Sequence, residues 1–416
     1  MSILTAIQAK QQQTAAAYTA CDSKGATMPT AANQTITNLA DTIDTITAAV
    51  PINQKVQKVI VTKDANNNPV YSRAAEVIGA TTEIAQSKYE DDTTLVSVLL
   101  PDTITRLNSS AFKNCSNLKY INLQNVMRID SDTFLNNSYL EIELNLSDLT
   151  TLGTGSFQNT GITKINNLGS ITSIDWYTFK DCGKLIYVKL PASLTYLNHD
   201  CFANTTSLIE ADLSDTQLTS IPSGFSGSSV QIVYLPNSVI SINGFYGCRS
   251  LETIDLSNVT SIGDWSFTYD AKLKNIGSLT NVTSIGTNAF QQCDLDDFIV
   301  NLPNLTSLGG GAFNETNIKS VTNLGTVTSV GINNCPKVTS ITLPSTITSI
   351  PNWGFYNNKS MTTLTVNATT PPTLGGNALY DCNALANIYV PSASVNAYTS
   401  ASGWSAYANI ISAIPS

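Results

Sequence analysis

Charge is scarce in this chain. Only 12% of its 416 residues are charged, 21 basic against 30 acidic, and histidine occurs once. With a net charge of −9 and no run of Lys or Arg, the chain lacks the clustered positive charge that releases counterions from a phosphate backbone, so nucleic acid is excluded as a partner. Anionic membrane surfaces are disfavoured for the same reason. No apolar stretch reaches the roughly 18 residues needed to cross a bilayer, so no membrane insertion is expected. Met1 to Lys10 has no basic segment leading into an apolar one, and Ala-Ile-Pro-Ser at the end is no sorting or anchoring motif; no conventional export signal is expected.

What the chain has is apolar residues, 42% of the total, over a polar background of Thr, Ser and Asn. It has enough core to fold. Val282 to Cys293, Val-Thr-Ser-Ile-Gly-Thr-Asn-Ala-Phe-Gln-Gln-Cys, recurs in variants through most of the length. Phe112, Phe134, Phe157, Phe179, Phe202, Phe225, Phe245, Phe267, Phe290 and Phe313 lie 20 to 23 residues apart, and Ile332, Phe355 and Leu379 continue the slot. Thirteen turns are countable. Five residues before most slots stands a branched aliphatic residue such as Leu107, Ile129 or Ile285; the turns with Ile221, Ile242 and Val330 are shorter there by one to three residues. After each slot comes Leu-x-x-Ile-x-Leu, as in Leu185/Val188/Leu190 and Leu251/Ile254/Leu256.

A unit this short cannot bury its apolar face alone, so successive units stack their strands into a parallel sheet with right-handed crossovers. The expected fold is a β-rich repeat solenoid of about 13 turns, on the order of 60 Å long at about 4.8 Å per strand. Val338-Thr-Ser-Ile-Thr-Leu-Pro-Ser-Thr-Ile-Thr-Ser-Ile350 together with Val282–Cys293 resembles the leucine-rich repeats of the BspA-like, surface-antigen type, over residues 95–392. The resemblance implies a binding role on a surface. Tyr389-Val-Pro-Ser-Ala-Ser-Val-Asn-Ala-Tyr398 and Gly403-Trp404 resemble the closing segment of such proteins, a short helix over the last turn within residues 393–416.

Residues 1–50 read as a helical anchoring or oligomerisation segment. Ile36, Leu39, Ile43 and Ile46 form a narrow apolar stripe at helical spacing, suited to a partner protein or a second copy of the chain, with docking on the adjacent body as the alternative. Lys24-Gly25-Ala-Thr-Met-Pro-Thr and Leu39-Ala-Asp-Thr-Ile43 resemble short N-terminal modules of phage tail-associated proteins. Residues 51–94 read as a β connector and cap: Val56, Lys58, Ile60 and Thr62 alternate up to an Asn-rich turn ending at Pro69, a hairpin signal.

Eight cysteines suggest disulfides or a metal, but the register opposes both. Cys115, Cys182, Cys248, Cys293, Cys335 and Cys382 share one column three residues after the slot, never in adjacent turns. Two turns is roughly 9–10 Å, beyond the ~7 Å limit for a bridge. They read as free, small apolar fillers, exchanged elsewhere for Asn137, Thr160, Thr205 and Thr316; no metal and no cofactor is expected. A Cys201–His199 dyad is conceivable, without an orienting third group. Acid clusters at Asp294/Asp296/Asp297, Glu90/Asp91/Asp92 and Glu210/Asp212 lack the aromatic platforms of sugar cleavage and read as solvated or cation-touching loops.

Binding has better support. The outward positions of the strands line up from turn to turn, and Tyr120, Ile186, Tyr187, Ile232 and Tyr234 fall on them, with Tyr389 further on. Exposed aromatic residues mark contact surfaces, although scattered ones are common. The expected protein is non-enzymatic, with no catalytic residue, and recognises a host-surface protein or glycan. A phage virion adhesin or fibre-like component is the first expectation, a bacterial surface adhesin the second, a glycan-cleaving tail enzyme the third.

Overall fold

The computed structural model describes residues 56–63, 69–76 and 81–415. The helical segment expected in residues 1–50, with its stripe Ile36, Leu39, Ile43 and Ile46, lies outside the described residues. Two compact units divide the chain, Met1–Gly79 with Thr94–Leu99, and Ala80–Thr93 with Leu100–Ser416. In the first, Val56–Lys63 and Pro69–Glu76 pair antiparallel, from Val56 opposite Ala75 to Lys63 opposite Pro69, the hairpin that their alternation predicts. Leu95–Leu99 adds in parallel to Pro69–Glu76.

The second unit is a parallel-strand solenoid of about fourteen turns. The extra turn precedes the expected first one: Ile84 is buried five residues before Tyr89, whose ring stacks on Phe112. Tyrosine in place of phenylalanine hides this turn from a search for the recurring residue. Most turns contribute a short two-residue strand ending in the branched aliphatic residue, then the slot, then a further strand; at Ser329 and at Asn275 the strand is reduced to a single bridge. The short strands pair in parallel, for example Ser241–Ile242 with Ser220–Ile221 and Ser261–Ile262. Of the longer strands, two parallel six-stranded sheets form, one from Glu143 to Ile254 and one from Ile299 to Ala413. Between them the ladder thins to a single bridge, Thr253 with Asn275.

The core is a column of rings. Tyr89 and the ten phenylalanines from Phe112 to Phe313 stack in sequence with centroids 5.1–5.7 Å apart and planes within 23° of parallel. These separations exceed the ~4.8 Å strand rise, so the rings are offset, the arrangement their quadrupoles favour. Every one of these phenylalanines is fully buried.

Two left-handed residues bracket most slots. Around Phe134 they are Asp132 (φ 56°) and Asn136 (φ 66°), around Phe290 they are Asn288 (φ 53°) and Gln292 (φ 60°). Alternating hand turns every second N–H towards the next turn. Asp132, Phe134 and Asn136 donate to the carbonyls of Thr154, Ser156 and Gln158 at 2.8–3.0 Å. The segment around the slot is therefore a third inter-turn ladder, built without β geometry. Asn and Asp tolerate the left-handed region best among residues with side chains, which explains their abundance there.

The end of the solenoid is closed by a six-residue helix, Val395–Ser400, and by Ile411–Ala413, which pairs in parallel with Ile388–Val390. Tyr398 and Trp404 are fully buried beneath, edge to face at 5.2 Å. Their polar ends are satisfied: the Tyr398 hydroxyl donates to the Ala368 carbonyl and the Trp404 indole to Pro372, both at 2.8 Å.

Phe202→Ala removes a ring from mid-column and is expected to cost about 3–5 kcal/mol of stability, whereas Phe202→Leu keeps most of the volume and costs no more than about 1.5 kcal/mol. Urea titration of the two variants measures this. Equal losses would show that the ring's presence, and not the filled volume, is what the column requires.

Candidate functional site

The expected binding patch falls on the sheet formed by Glu143–Asn145, Lys164–Asn167, Tyr187–Lys189, Glu210–Asp212, Ile232–Tyr234 and Thr253–Ile254. Leu144, Ile165, Val188, Ala211, Val233 and Ile254 point into the core. Their neighbours line up outside in register. One row runs Glu143, Lys164, Tyr187, Glu210, Ile232, Thr253, and a second runs Lys189, Asp212, Tyr234. Apolar members thus alternate with charges. Glu210 sits between Tyr187 and Ile232, and Asp212 stands beside Tyr234.

The charges are largely engaged. Lys164 Nζ lies 2.9 Å from Glu143, and Lys189 Nζ bridges Asp212 at 3.2 Å and Asp215 at 2.9 Å. Partial burial pushes the Asp212 carboxyl up, but the Ser214 hydroxyl and N–H and the Lys189 ammonium outweigh it and hold the group below its ordinary value. Tyr187 is shifted upward, first by burial and then by the neighbouring Asp212.

Of the expected residues, Tyr187, Ile232 and Tyr234 share this sheet, and Ile186 immediately precedes its strand Tyr187–Lys189. Ile186 and Tyr234 are 38% and 47% exposed, while Tyr187 and Ile232 are half-buried. Tyr120 stands outside it, on Tyr120–Ile121, and Tyr389 lies in the second sheet, paired with Thr365. Ile209, 46% exposed, occupies the position of Ile186 one turn on and completes the apolar edge. It escaped the sequence reading although Leu208-Ile209 repeats the Leu185-Ile186 signal.

A second set of exposed aromatic residues flanks the ring column. Trp176 packs on His199 at 5.4 Å, and Lys180 lies over the Tyr177 ring. Tyr246 meets Tyr269, and Trp353 meets Tyr356 and Tyr380. Trp353 also borders a cleft of about 250 Å³ at the shortened Val330 turn, between Gly309–Gly311 and Pro351–Gly354. These residues sit at or beside the left-handed positions, which sequence patterning reads as loop.

The His199–Cys201 pair does not form. His199 Nδ1 lies 2.7 Å from Ser223 Oγ, while Cys201 is fully buried with its thiol pushed far up by burial. The acidic loops are tied to lysines: Asp294 to Lys274, Asp296 to Lys337, and Glu90 to Lys113. Among the described residues, no three of His, Cys, Asp and Glu converge as metal ligands.

The cysteine column is buried and unbridged among the described residues, but it is no apolar filler. Each thiol donates to the slot carbonyl one turn earlier: Cys115 to Tyr89, Cys182 to Phe157, Cys248 to Phe225, Cys293 to Phe267, Cys335 to Phe313 and Cys382 to Phe355, at 2.9–3.1 Å. Thr160, Thr205 and Thr316 instead donate to the slot carbonyl of their own turn. Asn358 uses both ends of its amide, donating to Ile332 and accepting from the Cys335 N–H. Most members of the column are small side chains that donate a hydrogen bond, a preference invisible while Cys is classed as apolar; Asn137 is buried there without a partner.

Against protein families, residues 82–209, 219–333 and 332–406 match the BspA type leucine rich repeat region, in six copies. The chain belongs to this family. Among solved structures, this BspA-type chain is similar to a leucine-rich repeat protein from Bacteroides ovatus, with 19% identity, 81% of each chain covered and a TM-score of 0.46. It is similar also to a leucine rich cell surface protein from Faecalibacterium prausnitzii, with 21% identity, 90% of this chain and 99% of that one covered, and a TM-score of 0.39. A third is the pneumococcal vaccine antigen PcpA, at 18% identity, 87% and 95% coverage and a TM-score of 0.43. No curated protein matches the chain.

One member of the polar column of this BspA-type array is ionisable and unpaired. Asp270 is fully buried between Cys248 and Cys293, neither of its oxygens has a hydrogen-bond partner, and burial raises its carboxyl well above the ordinary range. The unfolded chain ionises this residue above about pH 4 and the folded one does not. Its contribution is therefore intact below that pH and is lost as pH rises towards the folded value. Asp270→Asn, with Asn358 as precedent in the same column, is expected to gain about 1–3 kcal/mol at neutral pH and nothing below about pH 4. Thermal unfolding across that range checks it; a gain independent of pH would show that ionisation is not the cause.

Proposed function

We propose that this chain is a non-enzymatic binding and display protein that recognises a host-surface protein or glycan through its strand face. The observation that carries this reading is the register of the six-stranded sheet. A rigid repeated frame holds Ile186, Ile209, Tyr187, Ile232 and Tyr234 outward in fixed rows, while the surrounding charges are largely neutralised by their own neighbours. Such a surface can exclude water around a few apolar anchors and keep a polar rim, the anatomy of a recognition interface. Family membership supports a surface role.

We place the protein on a phage virion, where residues 1–50 would join other virion proteins or a second copy of the chain. The support for this is the resemblance of residues 24–43 to N-terminal modules of tail-associated proteins. Display on a bacterial cell is equally compatible with the family. A glycan-cleaving role would require two carboxylates about 5–10 Å apart across a groove; the acids of Asp294, Asp296 and Glu90 are instead held by lysines.

Tyr187→Ala with Tyr234→Ala is expected to lower attachment to host cells about tenfold or more, the scale of losing one or two anchors, with unchanged thermal unfolding because neither ring is in the core. Unchanged attachment removes the patch from consideration. Genes for tail and baseplate components beside this one would favour the virion; genes for export and surface anchoring would favour the cell.

A further inference from the structure

The side-chain column two residues after the slot is a ladder of amides and carboxylates. Asn114 donates to Asp91, Asn136 to Asn114, Asn159 to Asn136 and Asn204 to Asp181, at 2.7–3.0 Å. At the next two turns the ladder has no rungs, because the column holds Gly227 and then Gly247. Both keep the left-handed backbone, φ 69° and 72°, that Asn adopts elsewhere in the column. A Cβ on Gly227 would press on Asn204 Oδ1 at 2.7 Å, but one on Gly247 would meet nothing nearer than 4.0 Å. Space at Gly247 is therefore not demanded by the fold.

The missing rungs open a cleft of about 350 Å³, at the lower end of the range for small-ligand sites. Tyr246 and Tyr269 wall it, their rings 5.7 Å apart and at 77° to each other. Tyr269 itself stands at a left-handed position, φ 71°, where the neighbouring turns use Gly, Asn, Asp or Gln. An aromatic residue there costs backbone strain that asparagine would avoid, as also at Tyr177, Trp265 and Trp353, but at Tyr269 the ring borders the cleft. Arg249 completes the wall. Arg106 and Arg128 both engage Asp130, whereas Arg249 is exposed and makes no ion pair among the described residues. The glycine N–H groups are already used, donating to the Tyr246 and Thr268 carbonyls at 2.9 Å, so the floor is fixed and ligand contacts are left to the side chains that line the walls.

We propose that this cleft binds an acidic sugar, a pyranose carrying a carboxylate at the end of a glycan. Two planar rings set at a corner take the C–H faces of a pyranose, and the phenol and Ser229 hydroxyls meet its hydroxyls. The guanidinium grips the carboxylate through paired N–H donors. A polyanion such as nucleic acid is not the ligand, since the chain as a whole carries a net charge of −9 and Arg249 is the single basic residue among those lining the cleft. The site lies on the segment around the ring column and not on the strand face, so it stands apart from the surface proposed above.

The test is calorimetric titration of the full chain with sialyllactose and with lactose, which lacks the acidic sugar. Sialyllactose is expected to bind in the millimolar range and lactose about tenfold more weakly or not at all, as expected for one charge-assisted contact. Arg249→Ala is expected to erase that preference. Gly247→Asn puts into the gap the residue that the column favours at this backbone conformation, and is expected to abolish binding while the thermal transition is unchanged. The protein carrying Tyr187→Ala and Tyr234→Ala is expected to bind sialyllactose normally, which separates this site from the strand face. No binding of sialyllactose up to about 20 mM, equal binding of lactose, or binding that survives both Arg249→Ala and Gly247→Asn would overturn the proposal. So would a peptide with a free carboxyl terminus that competes for Arg249 at lower concentration than the sugar.

Discussion

From Tyr89 to Phe313 each turn hands its neighbour a ring at a fixed height, and the rest of this part of the solenoid depends on it. A unit of some twenty residues cannot enclose a phenylalanine; two neighbouring units can, provided the backbone either side of the slot is in register. The alternation of right- and left-handed residues supplies that register. It points the N–H groups of Asp132, Phe134 and Asn136 at the following turn, and so ties the backbone to its neighbour at the point where the ring must stack. The β-strands on the other sides then carry fewer constraints, and several shrink to two residues.

The same geometry leaves the slot residue's carbonyl facing the inside. A buried carbonyl without a partner costs free energy, and the polar column three residues later exists to satisfy it. Cys, Thr and Asn all do so, from the following turn or from their own. Their interchange is puzzling as a matter of hydrophobicity and expected as a matter of donors. Asn137 and Asp270 depart from the rule, both buried in the column without a hydrogen-bond partner, and at Asp270 a carboxyl can serve the column only while it is protonated.

Much of this was legible in the residues because a period repeated many times averages out local ambiguity. The slots and the branched aliphatic residue five places before most of them follow from spacing, and the terminal Tyr398–Trp404 closure from resemblance to the closing segment of such repeats. What escaped did so for identifiable reasons. The turn around Tyr89 substitutes the recurring residue. The thiol hydrogen bonds are hidden by counting cysteine as apolar. Alternation along a strand tells that Tyr187 and Ile232 face outward, but the cross-turn register that puts Glu210 between them depends on the length of each intervening loop. The exposed aromatic residues near the ring column sit at left-handed positions that carry no period-two or helical signature, so no pattern search selects them.

Function in such an array is carried by departures from the repeat, because positions that recur are already committed to packing. The departures are few and they coincide with openings. Three residues missing after Val330 bring glycines on both sides of a gap beside Trp353. Two successive glycines interrupt the amide ladder beneath Tyr246 and Tyr269. The strand face departs less, since its outward positions vary without altering the backbone. A stacked fold thus offers two kinds of surface: a flat one whose side chains can change freely, and notches that appear only where the repeat itself is broken. The second kind interrupts regular stacking, since a rung of the amide ladder or part of a turn is missing there, whereas the first leaves the backbone as the repeat sets it.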